Sequence, residues 1–230
     1  KGALTQYMTH PEEWTYHIPE GMTTMEGALV EPAAVGMHAA VLGGAQPGKS
    51  IVILGGGTIG LMVLQACISL GATDITVVDV IEKRLELAKK LGAARVINGK
   101  EEDTVAVLRS EEMYGDHGVD LVFEAAGAVF TAQQAVQIVS RGGKIMMVGT
   151  QSKPVPIDFL KINREVTIQT SFRYCNNFPQ TIEAISSGRF NVKDMVTNIY
   201  DYEDVQKAFE EAIDPVKKTE MVKGVIKVAE

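Results

Sequence analysis

Residues 51–60 read Ile-Val-Ile-Leu-Gly-Gly-Gly-Thr-Ile-Gly, and an acid, Asp79, follows nineteen positions after Gly60. Four apolar residues predict a buried strand. Gly55, Gly57 and Gly60 then give a G-x-G-x-x-G turn into a helix spanning Thr58 to Leu70. Gly55 permits the tight turn, Gly57 lets backbone approach a pyrophosphate, and Gly60 lets helix and strand pack closely. The N-terminus of that helix presents unpaired N–H groups and a positive dipole end to phosphate. A second apolar run, Ile75 to Val78, ends in Asp79. An acid at that strand tip accepts hydrogen bonds from both ribose hydroxyls and repels a 2′-phosphate, so the expected ligand is NAD rather than NADP. A lone glycine turn is weak, because any strand–turn–helix corner can carry one. Strand, helix and acid at the right distance together make the dinucleotide reading the stronger. Arg84, one helical turn past Asp79, either lies along the adenosine or a phosphate or is an ordinary solvated helix residue.

Outward from this unit the pattern keeps alternating. Glu82 to Leu91 reads as a helix with Leu85, Ala88 and Leu91 on one face, stopped by Gly92. Ala94 to Ile97 reads as a strand, Thr104 to Met113 as a helix, Asp120 to Glu124 as a strand, Thr131 to Val139 as a helix, and Lys144 to Val148 as a strand. Val166 to Phe172 alternates as a final strand. Apolar strands separated by helices predict an α/β fold, a Rossmann-type doubly wound parallel sheet. Ligands of such sheets bind at the carboxyl ends of the strands. Asp79, Ala126-Gly127 and Val148-Gly149-Thr150 all belong to that edge. Two segments fall outside the alternation. Residues 1–31 read as one or two strands and a turn, followed by a short apolar segment. Residues 176–230 read as two helices and a terminal strand, Gly224 to Val228. Neither closes a core alone, so they are expected to be the returning ends of another domain.

Bulk composition narrows the classes. The 230 residues are 46% apolar, with a formal charge of −7. No basic stripe is present, which argues against nucleic acid or an anionic membrane as partner. Residues 51–72 lack charge, but their central glycines argue against a membrane span. Cys67 and Cys175 form no C-x-x-C pair, which suggests free thiols in a reducing, cytoplasmic setting. No signal peptide is visible, and the chain opens on Lys1 rather than Met.

Several strings carry a resemblance: Glu26-Gly27-Ala28-Leu29-Val30-Glu31-Pro32, Val35-Gly36-Met37-His38-Ala39, the glycine turn, Val148-Gly149 and, most specific, Phe172-Arg173-Tyr174-Cys175-Asn176. Over essentially its whole length the chain resembles the C-terminal two-thirds of zinc-dependent medium-chain dehydrogenases, in particular the sorbitol (polyol) dehydrogenase branch. The resemblance implies remnants of a GroES-like catalytic domain at residues 1–31, an NAD-binding domain at 32–173, and a return to the catalytic domain at 174–230. It implies Glu31 as a zinc ligand, direct or through water, and Ile59 packed against the cofactor. Asp79 and Arg84 would hold the adenosine ribose. Val148, Gly149, Thr150, Ser171 and Phe172 would line the nicotinamide side. Arg173 would bond near Glu31 and the substrate, and Tyr174 would reach a polyol hydroxyl. With Glu31 they supply the acceptor and donors that orienting a polyol needs.

The resemblance also implies zinc held by a Cys and a His-Glu pair that these residues lack. A Glu31/His38 pair would leave catalytic zinc short of its usual three protein ligands, so His38 reads as an ordinary helix residue. The expected activity of the complete protein is reversible oxidation of a secondary hydroxyl of a sorbitol, xylitol or iditol type polyol to a ketose, with zinc as Lewis acid and NAD as hydride acceptor. This chain alone is expected to be an inactive NAD-binding fragment. The alternatives are a zinc dehydrogenase for threonine or a polyol phosphate, a zinc-free enone or quinone reductase, and a non-enzymatic NAD-binding module. An apolar edge strand at 166–172 would need cover. Pairing with its own copy, giving a homodimer or homotetramer, is expected over cover by a helix at Phe178 to Ser187.

Overall fold

The computed structural model describes residues 2–162 and 164–228. A 3-10 turn at Glu12–Trp14 precedes α1 (Thr24–Ala28) and α2 (Val30–Gly43). The core unit follows as β1 (Ser50–Leu54), α3 (Thr58–Ser69), β2 (Asp74–Asp79), α4 (Glu82–Lys90), β3 (Arg95–Asn98), α5 (Thr104–Leu108), β4 (Val119–Glu124), α6 (Val129–Ile138), β5 (Val139–Met147) and β6 (Thr167–Thr170). The chain ends with α7 (Phe178–Ser186), β7 (Val196–Asp201), α8 (Val205–Ile213), α9 (Lys217–Glu220) and β8 (Lys223–Lys227).

The first six strands form one sheet in the order β3-β2-β1-β4-β5-β6, every pair parallel. This is the order of two mononucleotide-binding halves meeting between β1 and β4. Both faces are covered, so the strands carry continuous apolar runs. Ile51, Ile53, Ile75, Val77, Leu121 and Phe123 pack toward α2 and α3 on one side. Val52, Leu54, Val78, Val122 and Ile145 pack on the other with Leu108 of α5 and Ala135 of α6. The doubly wound α/β fold expected from the alternation is the fold observed.

Three elements differ from the sequence reading. The helix expected over Thr104 to Met113 stops at Leu108. Arg109 ends it: its guanidinium donates to the carbonyls of Gln137, Val139, Gly115 and Asp116 and folds the following loop around itself. No strand forms within residues 2–31. That stretch finds no strand to pair with, and Tyr16 stacks on Phe178 instead, with ring centroids 5.4 Å apart. Beyond α7 an unexpected strand, β7, pairs in parallel with β8 as a separate two-stranded sheet.

Candidate functional site

The carboxyl edge of the large sheet is built from turns whose local chemistry the sequence dictates. Gly55 has φ 111°, in the region closed to side chains, and its N–H donates to the Val78 carbonyl at 2.8 Å, tying the turn to β2. A Cβ at Gly60 would lie 1.8 Å from the Gly55 carbonyl oxygen, so only glycine lets α3 start this close to β1. Gly57 behaves differently. A Cβ there would meet nothing closer than Arg84 Nη1 at 3.9 Å. The space over Gly57 is open toward the cleft, as an approaching pyrophosphate requires.

Asp79 is 8% exposed. Its Oδ2 accepts from the Gly56 N–H at 2.7 Å, and its Oδ1 from the N–H groups of Val80 and Ile81 at 2.8 and 2.9 Å. A carboxylate has about four acceptor positions. Backbone occupies three, which leaves room for about one ribose hydroxyl rather than the two expected. Arg84 Nη1 stands 3.6 Å from Asp79 Oδ2, and its Nε is buried with no hydrogen-bond partner among the described residues. Arg84 is therefore turned into the site rather than solvated. Gly55, Gly57, Asp79 and Arg84 line one cleft of about 370 Å³, closed on its far side by Ala125, Ala126, Ala128, Phe130 and Thr131. An open glycine, an ordered acid and an unpartnered guanidinium nitrogen fit a dinucleotide.

The other predicted residues are not in the lining of this cleft. Ile59 is half-buried in the first turn of α3, and Val148 and Gly149 follow β5. The N–H groups of Val148 and Gly149 both donate to the Glu124 carbonyl at 2.8 Å, and Thr150 is exposed. Ser171, 9% exposed, follows β6, and its hydroxyl has no partner. Phe172 is largely exposed, with the Arg173 guanidinium 5.2 Å above its ring. Arg173 and Asn176 both have φ 52°, so the 172–176 segment is tightly coiled. Tyr174 packs edge-on against Phe178 with centroids 4.9 Å apart. This packing brings its phenol beside Glu31, on the first turn of α2. Burial first, and then the Glu31 carboxylate, hold the Tyr174 hydroxyl above its usual pKa, while Arg173 acts in the opposite sense. Glu31 itself is exposed.

The metal side is sparser. Among the described residues, no three His, Cys, Asp or Glu side chains cluster to hold an ion. The described residues of this chain do not by themselves form a zinc site.

Sequence reasoning missed Glu124. It is fully buried at the end of β4. Its Oε1 accepts from Ala126 N, Gly127 N and Thr131 Oγ1 at 3.0, 2.9 and 2.7 Å, and its Oε2 from Gln151 Nε2 at 2.7 Å. One carboxylate thereby orders the loops after both β4 and β5. The available signal was an acid closing an apolar strand, as Asp79 does, here just before Ala125-Ala126-Gly127.

Comparison with known proteins places this geometry. The family model described as "Zinc-binding dehydrogenase" matches residues 58–187. A sorbitol dehydrogenase of Bacillus subtilis (strain 168) is 39% identical over 215 residues, covering 92% of this chain and 60% of the relative. The crystal structure of an Escherichia coli oxidoreductase/dehydrogenase of unknown specificity superposes with a TM-score of 0.92 at 62% identity, covering 96% of this chain and 62% of that one. A Sinorhizobium meliloti 1021 protein solved with NADP bound gives a TM-score of 0.87 at 25% identity, covering 94% of this chain and 64% of that one. The chain spans 60% and 65% of the length of two curated relatives it matches. With more than half its residues matched by that model and its sheet shared with those structures, the chain belongs to the zinc-binding dehydrogenase family.

Proposed function

We propose that this chain is the cofactor-binding part of a zinc- and NAD-dependent dehydrogenase that oxidises a secondary hydroxyl of a polyol of the sorbitol, xylitol or iditol type to a ketose. The observation that carries the reading is the meeting of Tyr174 and Glu31, in a chain whose sheet edge also carries a cleft fitted for a dinucleotide. A polyol must be held by several hydroxyls so that one is presented for oxidation. A phenol that stays protonated donates to one hydroxyl, a carboxylate accepts from another, and Arg173 adds charged donors. Bound NAD supplies the hydride acceptor. Asp79 and Arg84 hold its ribose, the backbone at Gly55, Gly57 and Ile59 faces its phosphates, and Val148, Gly149, Thr150, Ser171 and Phe172 flank the nicotinamide. Glu31 would be one zinc ligand, with the rest supplied by sequence outside these 230 residues. On this reading residues 1–31 and 174–230 belong to a catalytic domain and 32–173 to the NAD domain. The edge strand β6 pairs two copies, and the free thiols Cys67 and Cys175 fit a cytoplasmic setting.

The NADP-bound neighbour favours a second cofactor reading. Against it, the Asp79 carboxylate stands where a 2′-phosphate would sit, and the two negative charges repel. The test is a panel of polyols, polyol phosphates, threonine and simple alcohols, with NAD or NADP, on protein expressed from its native gene. Polyol oxidation with NAD, lost on zinc chelation and reduced about 10-fold or more by Tyr174→Phe, is the expected result. Turnover of none of the polyols, with turnover of another class or unaffected by chelation, refutes the reading. The 230-residue chain alone should bind NADH and oxidise nothing.

A further inference from the structure

The cleft does not end at the ribose-binding acid. Its lining includes Val80, Gly99 and Thr104, which follow β2 and β3, and Ala128, Phe130 and Gln134 from the segment after β4. In this fold the half of the sheet holding β1, β2 and β3 takes the adenine nucleotide, so this end faces the base. Its walls, Val80, Ala128 and Phe130, are apolar, while Thr104 and Gln134 are polar. A purine has that distribution, with apolar ring faces and a polar edge.

Thr104 is the unexplained group. It is 1% exposed, and its hydroxyl oxygen has no hydrogen-bond partner among the described residues. A buried hydroxyl left unpaired opposes folding, and such groups in native proteins point to a missing ligand or water. The hydroxyl is not needed for the helix, because the cap of α5 is Asp103, which accepts from Val105 N and Ala106 N at 3.0 and 3.1 Å. Residue 99 does not cover it with a side chain. Position 99 is glycine, and a Cβ there would stand 3.1 Å from Thr104 Oγ1. The missing side chain keeps the approach to the hydroxyl clear.

We propose that Thr104 is a base-reading residue of the cofactor site, its Oγ1 accepting a hydrogen bond from the exocyclic 6-amino group of the adenine. This rests on the NAD reading above and adds to it a specific contact where apolar packing alone would suffice. The contact replaces water at the amino group and satisfies the one orphaned oxygen at the floor of the slot.

The experiment is a thermodynamic cycle on the protein expressed from its native gene, read by nucleotide fluorescence on titration. The ligands are NADH and the reduced dinucleotide whose base is purine without the 6-amino group. The variants are Thr104→Val, which keeps the shape, and Thr104→Ser, which keeps the hydroxyl. The expected result is a loss of about 5-fold in NADH affinity for Thr104→Val, no loss for Thr104→Ser, and no effect of either change on the purine analogue. Equal losses for both ligands, or no loss for NADH, overturn the proposal while wild-type NADH binding leaves the cofactor reading standing. Failure of the wild-type protein to bind NADH overturns both.

Discussion

The large sheet and the flanks of this chain obey different rules. In β1, β2 and β4 nearly every side chain is buried, and each strand is paired in the large sheet. In residues 2–23 almost every side chain is exposed, including Tyr7 at 90% and Trp14 at 65%. The C-terminal part places Phe209 and Ile213 at its surface and rests on a two-stranded sheet, an arrangement marginal by itself. One region is a finished core, and the other leaves much of its apolar surface in water. The cofactor cleft belongs to the first, whereas Tyr174 and Glu31 sit where the two meet.

The sharpest way to break this contrast is inside the core. Gly60→Val forces a side chain into the Gly55 carbonyl and is expected to cost about 3 kcal/mol or more and to abolish NADH binding. Chemical denaturation with NADH titration checks it, and a stable, NADH-binding variant would remove the close-approach argument. Glu124→Gln comes next. It replaces an acceptor of four hydrogen bonds by an amide that turns an N–H toward donors, at about 1–3 kcal/mol. At this chain length that lowers the melting temperature by about 2–10 °C, measurable by scanning calorimetry.

At the boundary the effect is on titration. Burial and Glu31 both hold the Tyr174 phenol above its ordinary value near ~10. The folded form therefore keeps its proton longer than the unfolded chain. The associated stability is present below the ordinary value and is lost as pH rises through the folded one. Glu31→Gln removes the second cause and should move the phenolate absorbance titration of this tyrosine downward. An unchanged titration would mean that the carboxylate does not act on the phenol. The smallest effect belongs to the flank. Trp14→Ala, at a largely exposed ring, should alter stability by no more than about 0.5 kcal/mol in a denaturant melt. A larger loss would show that the N-terminal stretch has its own packed core.

The same contrast explains what the sequence revealed. The strand–glycine–helix–acid unit was legible because each part has a local signature: apolar run, glycine spacing, terminal carboxylate. Glu124 has a local signature too, but its four partners come from the loop after β4, the first turn of α6 and the loop after β5, which only folding brings together. Thr104 was invisible, since a threonine opening a helix looks like any other, and only burial without a partner singles it out. The premature end of α5 depends on where the Arg109 guanidinium finds carbonyls, including one twenty-eight residues away. The β7 segment Val-Thr-Asn-Ile-Tyr-Asp has most of its positions half-buried or exposed, so it offered no apolar run to read. Tyr174 and Glu31 were nominated by family resemblance, and their meeting depends on the Phe178 contact, which no spacing encodes.

Gly36, midway along α2, has a further consequence. A Cβ there would fall 2.5 Å from the Met62 carbonyl carbon in α3, so the two helices touch backbone to backbone. The helix that opens at the cofactor turn and the helix that carries Glu31 are thus one stiff bracket rather than two adjustable arms. On the proposed function, re-engineering the cofactor end of this protein would also re-aim its substrate end, and the two preferences would have to be altered as a pair.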